Sequence, residues 1–193
     1  MRCCRMLAPL LVLIAACTQP STLSQPGQET NHAEVSALSV APPDLTSAVD
    51  PEQALFTYVD ARAQALASRE YEPPPQILPA ALAALTYEQY RAIQFRQEMS
   101  LWQDEHRFTV QVLHPGFLYT EPVEIHLVQG TDVERLPFMQ ARYRYVGPAA
   151  PVADQITGDI GHAGFRVYYP RGGPDNREEV AVFLGASYFR LVG

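Results

Sequence analysis

The chain has 193 residues, 47% of them hydrophobic and 18% charged, a balance ordinary for a soluble globular domain and enough for a single one. All 14 basic residues are arginine, set against 21 acidic ones. The net charge of −7 offers no basic face for neutralising phosphates, which argues against a nucleic-acid partner and suits a neutral ligand.

The chain opens with two arginines, Arg2 and Arg5, an apolar run from Met6 to Ala16 too short to span a bilayer, and small residues leading into Cys17. Residues 1–16 are therefore expected to be an export signal. The ending Leu13-Ile14-Ala15-Ala16-Cys17 resembles a bacterial lipobox, in which the leader is cut before the cysteine and the thiol is acylated. The alternative is an ordinary signal peptide that happens to end near a cysteine. Lipidation of Cys17 would anchor the chain to a membrane with enough acyl chains for stable attachment. Thr18, in place of aspartate, favours the outer membrane of a Gram-negative cell. Loss of the leader removes Cys3 and Cys4 and brings the charge to −9, and no disulfide is expected in the mature domain. Residues 17–49 are rich in Ser, Thr, Pro, Gln and Ala, without aromatic residues or apolar periodicity. Such a segment is expected to be a tether, spanning roughly 30 Å as a random coil.

The globular part, residues 50–193, is expected to begin with a helix. Asp50 suits an N-cap, Pro51 the first turn and Gln53 the capping-box position, and Leu55, Tyr58, Val59, Arg62 and Leu66 follow at helical spacing as far as Ser68. The proline-rich passage Tyr71–Gln76 forces an extended path. Thr86 with Gln89 signals a second, short helix, with Tyr87, Tyr90 and Ile93 on its buried side. Beyond Trp102 the period becomes two: Phe108, Val110 and Val112, then Val123, Ile125 and Leu127, predict strands separated by a turn at His114-Pro115-Gly116. Further strands are expected over Val133–Phe138, Arg142–Val146, Phe165–Tyr169 and from Val180 onward, where the pair Gly185-Ala186 signals a bulge or a close backbone approach. The order is helices first and strands afterwards, with one face of each strand buried. The predicted fold is mainly β, an antiparallel sandwich.

Several chemistries fail on spacing. Gly158, Gly161 and Gly164 do not make the dinucleotide fingerprint, and Phe189 stands where a serine nucleophile elbow around Ser187 needs its second glycine. His106, His114, His126 and His162 lack zinc-ligand spacing, so no metal or cofactor is implied, and His126 is expected to be an exposed strand residue. Glycan hydrolysis generally needs two carboxyl groups across the bond. Glu121, Glu124, Asp154, Asp159 and Glu178 all read as solvated turn or strand-face residues, so no catalytic residue is assigned.

The strings Gly164-Phe-Arg-Val-Tyr-Tyr-Pro170 and Gly185-Ala-Ser-Tyr-Phe-Arg190, with Leu85-Thr-Tyr-Glu-Gln-Tyr-Arg-Ala-Ile-Gln-Phe95 and His114-Pro-Gly-Phe-Leu-Tyr119, resemble the periplasmic glucan biosynthesis protein G and D family. The likeness runs from about Gln53 to Gly193, with His162 standing where the family usually has an aromatic. It implies the N-terminal part of a galactose-mutarotase-like β-sandwich, exported to the periplasm and acting in the making or processing of osmoregulated glucans with a β-1,2-linked backbone. The family's acidic residues for glucan hydrolysis would lie beyond Gly193, leaving a glucan-binding paralogue or an inactive fragment of a hydrolase as alternatives to an enzyme. The expected partner is a β-glucan. Sugars are held by aromatic faces and planar donors, and Tyr188 with Arg190, and Arg166 with Tyr168, share strand faces. These four and His114, which matches a family histidine, are the candidate carbohydrate-binding residues. Tyr188 and Arg190 serve equally well as structural residues inside a sandwich.

Overall fold

A computed structural model describes residues 10–14, 43–72, 77–103, 107–171, 176–185 and 187–192. The chain divides into two compact units. The first comprises residues up to 75 with His126–Glu134, and the second Gln76–Ile125 with Arg135–Gly193.

The first unit holds helix α1, Pro51–Ala67, and strand β1, Leu10–Ile14. Asp50 caps α1 as expected, its carboxylate accepting from the Gln53 amide at 3.1 Å. Gln53 does not reach back to complete the box; its side chain bonds Thr57 instead. Of the predicted apolar stripe only Leu55 is buried, and it packs with Leu45 and Val128. Leu45 lies within the stretch expected to be tether, so packed structure starts before Asp50. Strand β1 falls inside the expected leader, where a run of Leu, Val and Ile suits a strand as readily as a leader core. It forms a sheet in the order β1-β4-β5 with β4, Glu124–Gln129, and β5, Asp132–Arg135.

The second unit opens with two short helices, α2 at Ala80–Ala83 and α3 at Tyr87–Arg91. The capping box of α3 is complete: Thr86 Oγ1 accepts from the Gln89 amide and the Gln89 side chain accepts from the Thr86 amide. α2, preceded by Pro79, has no side-chain cap and no counterpart in the sequence prediction; it places Leu82 wholly inside. Strands β2, Ile93–Phe95, and β6, Tyr143–Tyr145, pair with each other. The main sheet is antiparallel, in the order β3-β7-β8-β9: Thr109–Leu113, Gly164–Pro170, Arg177–Leu184 and Tyr188–Leu191. The fold is mainly antiparallel β with helices early in the chain, the class expected.

Alternation sorts the main sheet into two faces. On one, Val110 and Val112 of β3 lie opposite Val167 and Phe165 of β7, these opposite Ala181 and Phe183 of β8, and these opposite Leu191 and Phe189 of β9. Burial falls along that row. Val110 and Val112 are wholly buried, Phe165 nearly so, and Phe189 is 66% exposed. Full burial of a side chain such as Phe165 contributes roughly 1.5–3 kcal/mol, little of which Phe189 recovers. Stacking continues across the row, Phe165 on Phe183 at 4.8 Å and Phe183 on Phe189 at 6.3 Å.

Three predicted details differ. Gly185 is not in a bulge within one strand: at φ +62° it begins the hairpin turn between β8 and β9, and Ser187 sits in that turn, while Ala186 lies outside the described residues. The strand foreseen over Val133–Phe138 stops at Arg135, and Leu136 and Phe138 turn into the interior. His126 is half-buried, not exposed, because β4 also buries Val128 on the face His126 occupies. The close backbone approach occurs elsewhere, at Gly164 (φ +147°), where an added Cβ would lie 2.1 Å from the Phe183 carbonyl oxygen. Gly164→Ala is expected to lower unfolding free energy by roughly 2–3 kcal/mol more than Gly158→Ala does. Gly158 also has positive φ but open space around it, so paired denaturant titrations separate the collision from the dihedral strain.

Candidate functional site

The second face of the main sheet carries polar residues. Gln111, Arg166, Val182 and Arg190 stand in one cross-strand row, and Leu113, Gly164, Leu184 and Tyr188 in the next. Strict alternation along β8 would continue this face through Val180 to Glu178. It does not, because the register shifts between Val167 and Tyr168: Ala181 pairs with Val167 but Glu179 pairs with Tyr168, leaving Val180 as an extra residue. The bulge turns Glu179 onto the face of Arg166 and Arg190.

An open groove of about 250 Å³ lies on this face. Leu113, Val182 and Leu184 give it an apolar floor, and Arg166, Glu179, Tyr188 and Arg190 line it together with Tyr90 from α3 and Tyr119 from the loop after β3. Glu179 is gripped from both sides. Arg190 Nη2 donates to its Oε1, and Arg166 Nη1 lies 3.6 Å from its Oε2. Arg166 Nη1 also makes a long contact, 3.5 Å, with the Tyr168 hydroxyl.

Of the predicted sugar-binding residues, the groove thus gathers Arg166, Tyr188 and Arg190. Tyr168 shares their face and touches Arg166 without lining the groove. His114 is not at the groove surface; it is 4% exposed and enclosed by edge-on contacts with Phe138, Tyr143 and Tyr145. Its Nδ1 lies 2.6 Å from the Pro115 carbonyl oxygen, an acceptor only, so Nδ1 carries the proton and Nε2 accepts from the Tyr145 hydroxyl at 2.9 Å. The link to the groove is through the backbone: the Tyr90 hydroxyl donates to the His114 carbonyl at 2.8 Å. Burial pushes the Tyr90 phenol up, so it remains a donor. Cys17 and His106 lie outside the described residues.

Sequence reading missed Glu179, Tyr90 and Tyr119 as groove residues. Nothing in Glu178-Glu179-Val180-Ala181, which lacks Gly and Pro, announces a bulge. Tyr87, Tyr90 and Ile93 were expected to share a buried side, but Tyr87 is 58% exposed and Tyr90 half-buried, because a five-residue helix turns too little to cover one face. His162 is an interior residue. It is 1% exposed, bridges Val123 through the backbone, and donates Nε2–H to the Leu136 carbonyl at 3.1 Å while lying 6.2 Å from the Phe138 ring. It fills an interior position as an aromatic would. Asp159 is a brace: burial opposes its charge, but the Gly161 amide, Arg135 and the Phe138 amide hold its carboxyl below the usual range. Among the described residues no three His, Cys, Asp or Glu side chains converge to hold a metal, and no helix is long and apolar enough to cross a membrane.

Residues 55–193 match the family described as periplasmic glucan biosynthesis protein, MdoG. The chain belongs to that family. Among its relatives, glucans biosynthesis protein G of Rhodopseudomonas palustris (strain BisA53) is 39% identical over 151 residues, 78% of this chain and 28% of the relative. Glucans biosynthesis protein G of Ralstonia nicotianae is 39% identical over 136 residues, 70% of this chain and 27% of the relative. Glucans biosynthesis protein D of Xanthomonas oryzae pv. oryzae is 33% identical over 144 residues, 74% and 26% of the two chains. This MdoG-family chain therefore spans about a quarter of the length of the curated relatives it matches.

Burial pushes both His114 and His162 down to about 4, from an unfolded value of 6.5. Both are neutral in the folded chain at pH 7, and between pH 6.5 and 4 the unfolded chain takes up protons that the folded chain refuses. Stability is therefore expected to fall as pH drops through that window, by roughly 2–3 kcal/mol per histidine at about pH 4.5. Denaturant midpoints at the two pH values measure the loss, and His162→Phe should remove about half of it.

Proposed function

We infer that this MdoG-family chain acts in periplasmic glucan biosynthesis by holding a β-glucan in the groove on the polar face of its main sheet. The observation that carries the reading is the convergence of Tyr90, Tyr119 and Tyr188 with the guanidinium groups of Arg166 and Arg190 over an apolar floor. Aromatic rings accept the C–H faces of pyranose units, and the two planar donor forks suit sugar hydroxyls. Glu179 keeps the forks oriented and leaves acceptor capacity for hydroxyl protons. The net charge of −7 and the neutral character of a glucan agree with this.

The groove supports binding better than cleavage. Glu179 is the one carboxylate among its lining residues, and it is committed to two arginines, whereas glycosidic hydrolysis commonly requires an acid and a partner carboxylate. In this reading the glucan has a β-1,2-linked backbone. Arg190→Ala and Tyr188→Ala are each expected to weaken binding of a linear β-1,2-glucan by roughly 5–50-fold, read by calorimetric titration. Both side chains are exposed, so thermal unfolding should be little changed. Unaltered affinity in both variants would refute the groove as the site.

Residues 1–16 act in this reading as an export leader, whose removal before Cys17 takes β1 from the sheet and leaves β4 and β5, with Cys17 the acylated residue that anchors the chain to the outer membrane from the periplasmic side. Cys17→Ser is expected to move the protein from the membrane pellet to the soluble periplasmic fraction. Retention of the variant in the pellet would overturn the anchor.

A further inference from the structure

The aromatic lining of the groove does not stop at its rim. Tyr119 and Tyr90, both in the groove wall, have ring centroids 5.8 Å apart; Tyr90 is 6.0 Å from Phe117, and Phe117 is 6.1 Å from Tyr87. The four rings make a continuous row that leaves the groove and ends at the surface, where Tyr87 is 58% exposed. The exposed guanidinium of Arg91 lies 5.6 Å over the Tyr87 ring.

None of the four rings is fully buried. Helix α3 buries none of its residues fully, and Leu118, next in the same loop, is 73% exposed. Phe117 is moreover held at φ +58°, a left-handed conformation that costs a bulky residue on the order of 1–3 kcal/mol and persists only where neighbours impose it. Those neighbours are identifiable. The Phe117 amide donates to the Leu82 carbonyl at 3.1 Å, and Gly116 and Tyr119 exchange backbone hydrogen bonds of 2.8 and 2.9 Å. Gly116 is needed there, because a Cβ would come within 3.0 Å of the Leu82 carbonyl oxygen. The chain thus maintains a strained turn whose effect is to hold a half-buried phenyl ring between Tyr90 and Tyr87.

We propose that Tyr119, Tyr90, Phe117 and Tyr87 form an aromatic track that carries a glucan chain onward from the groove, with Arg91 meeting its hydroxyls at the outer end. The row extends the groove's aromatic surface as far as Tyr87, so sugar units beyond the groove have further rings to meet. This rests on the groove reading, and its consequence is a preference for long chains over short ones.

The test titrates the full chain with linear β-1,2-glucan oligosaccharides of two sizes, one only long enough to fill the groove and one several hexoses longer. The wild-type protein is expected to bind the longer ligand more tightly. Tyr87→Ala combined with Arg91→Ala should weaken binding of the longer ligand by roughly 3–10-fold and leave the shorter one unchanged. Tyr87→Phe, which keeps the ring, should retain the long-chain affinity. Equal affinity for the two sizes in the wild type, or equal losses for both in the double variant, overturns the track while leaving the groove standing. Failure of both ligands to bind overturns the groove reading and the track with it.

Discussion

Between Ala181 and Glu179, strand β8 carries one residue more than the β7 segment it pairs with, and the character of the polar face follows from that insertion. Without Val180 as the extra residue, Glu179 would pair with Tyr169 on the opposite face, away from Arg166 and Arg190. Val180 would stand opposite Tyr168 in its place, and the arginines would have no carboxylate beside them. With the bulge, Glu178 turns outward to Arg171 at 3.8 Å, and Glu179 receives Arg166 and Arg190. Exposed ion pairs add little stability, so the value of this arrangement is orientation: two long, flexible cations are held at fixed positions over an apolar floor.

The groove's other wall is fixed by a different kind of chemistry. Tyr90 is anchored to the His114 carbonyl, and His114 is locked into one tautomer by an acceptor-only carbonyl on one side and the Tyr145 hydroxyl on the other. The imidazole is neutral because burial disfavours its charge, and the aromatic residues around it offer no carboxylate to stabilise an imidazolium. One wall is therefore positioned by charge at the surface and the other by hydrogen bonds in a dry interior.

How much of this could be read from the sequence depends on how local the cause is. Asp50, and Thr86 with Gln89, declare helix starts because a capping side chain acts on an amide two or three residues away. Alternation over Phe165–Tyr169 gives the faces of β7 correctly, and with them Arg166 and Tyr168, since period two is a property of the strand itself. The bulge at Val180 answers to pairing with β7, and no residue in β8 signals it. Gly185 was legible as a special position but not as a hairpin, because positive φ serves either role. His114 was singled out as a ligand-binding residue from the resemblance; its burial is set by Phe138, Tyr143 and Tyr145, which lie far along the chain. The placement of Tyr119 beside Tyr90 likewise depends on a loop closing onto α2.

Strand β9 bears on how the polypeptide behaves in solution. Among the described residues its outer edge has no hydrogen-bonding neighbour, and beside that edge Phe189, Leu191 and Val192 face water. Backbone groups ready to extend a ladder, next to an oily stripe, form the kind of surface on which chains add to one another and precipitate. Unless another strand or a lipid surface sheathes β9, samples of this chain should turn cloudy at concentrations where a protein of the same charge would stay clear.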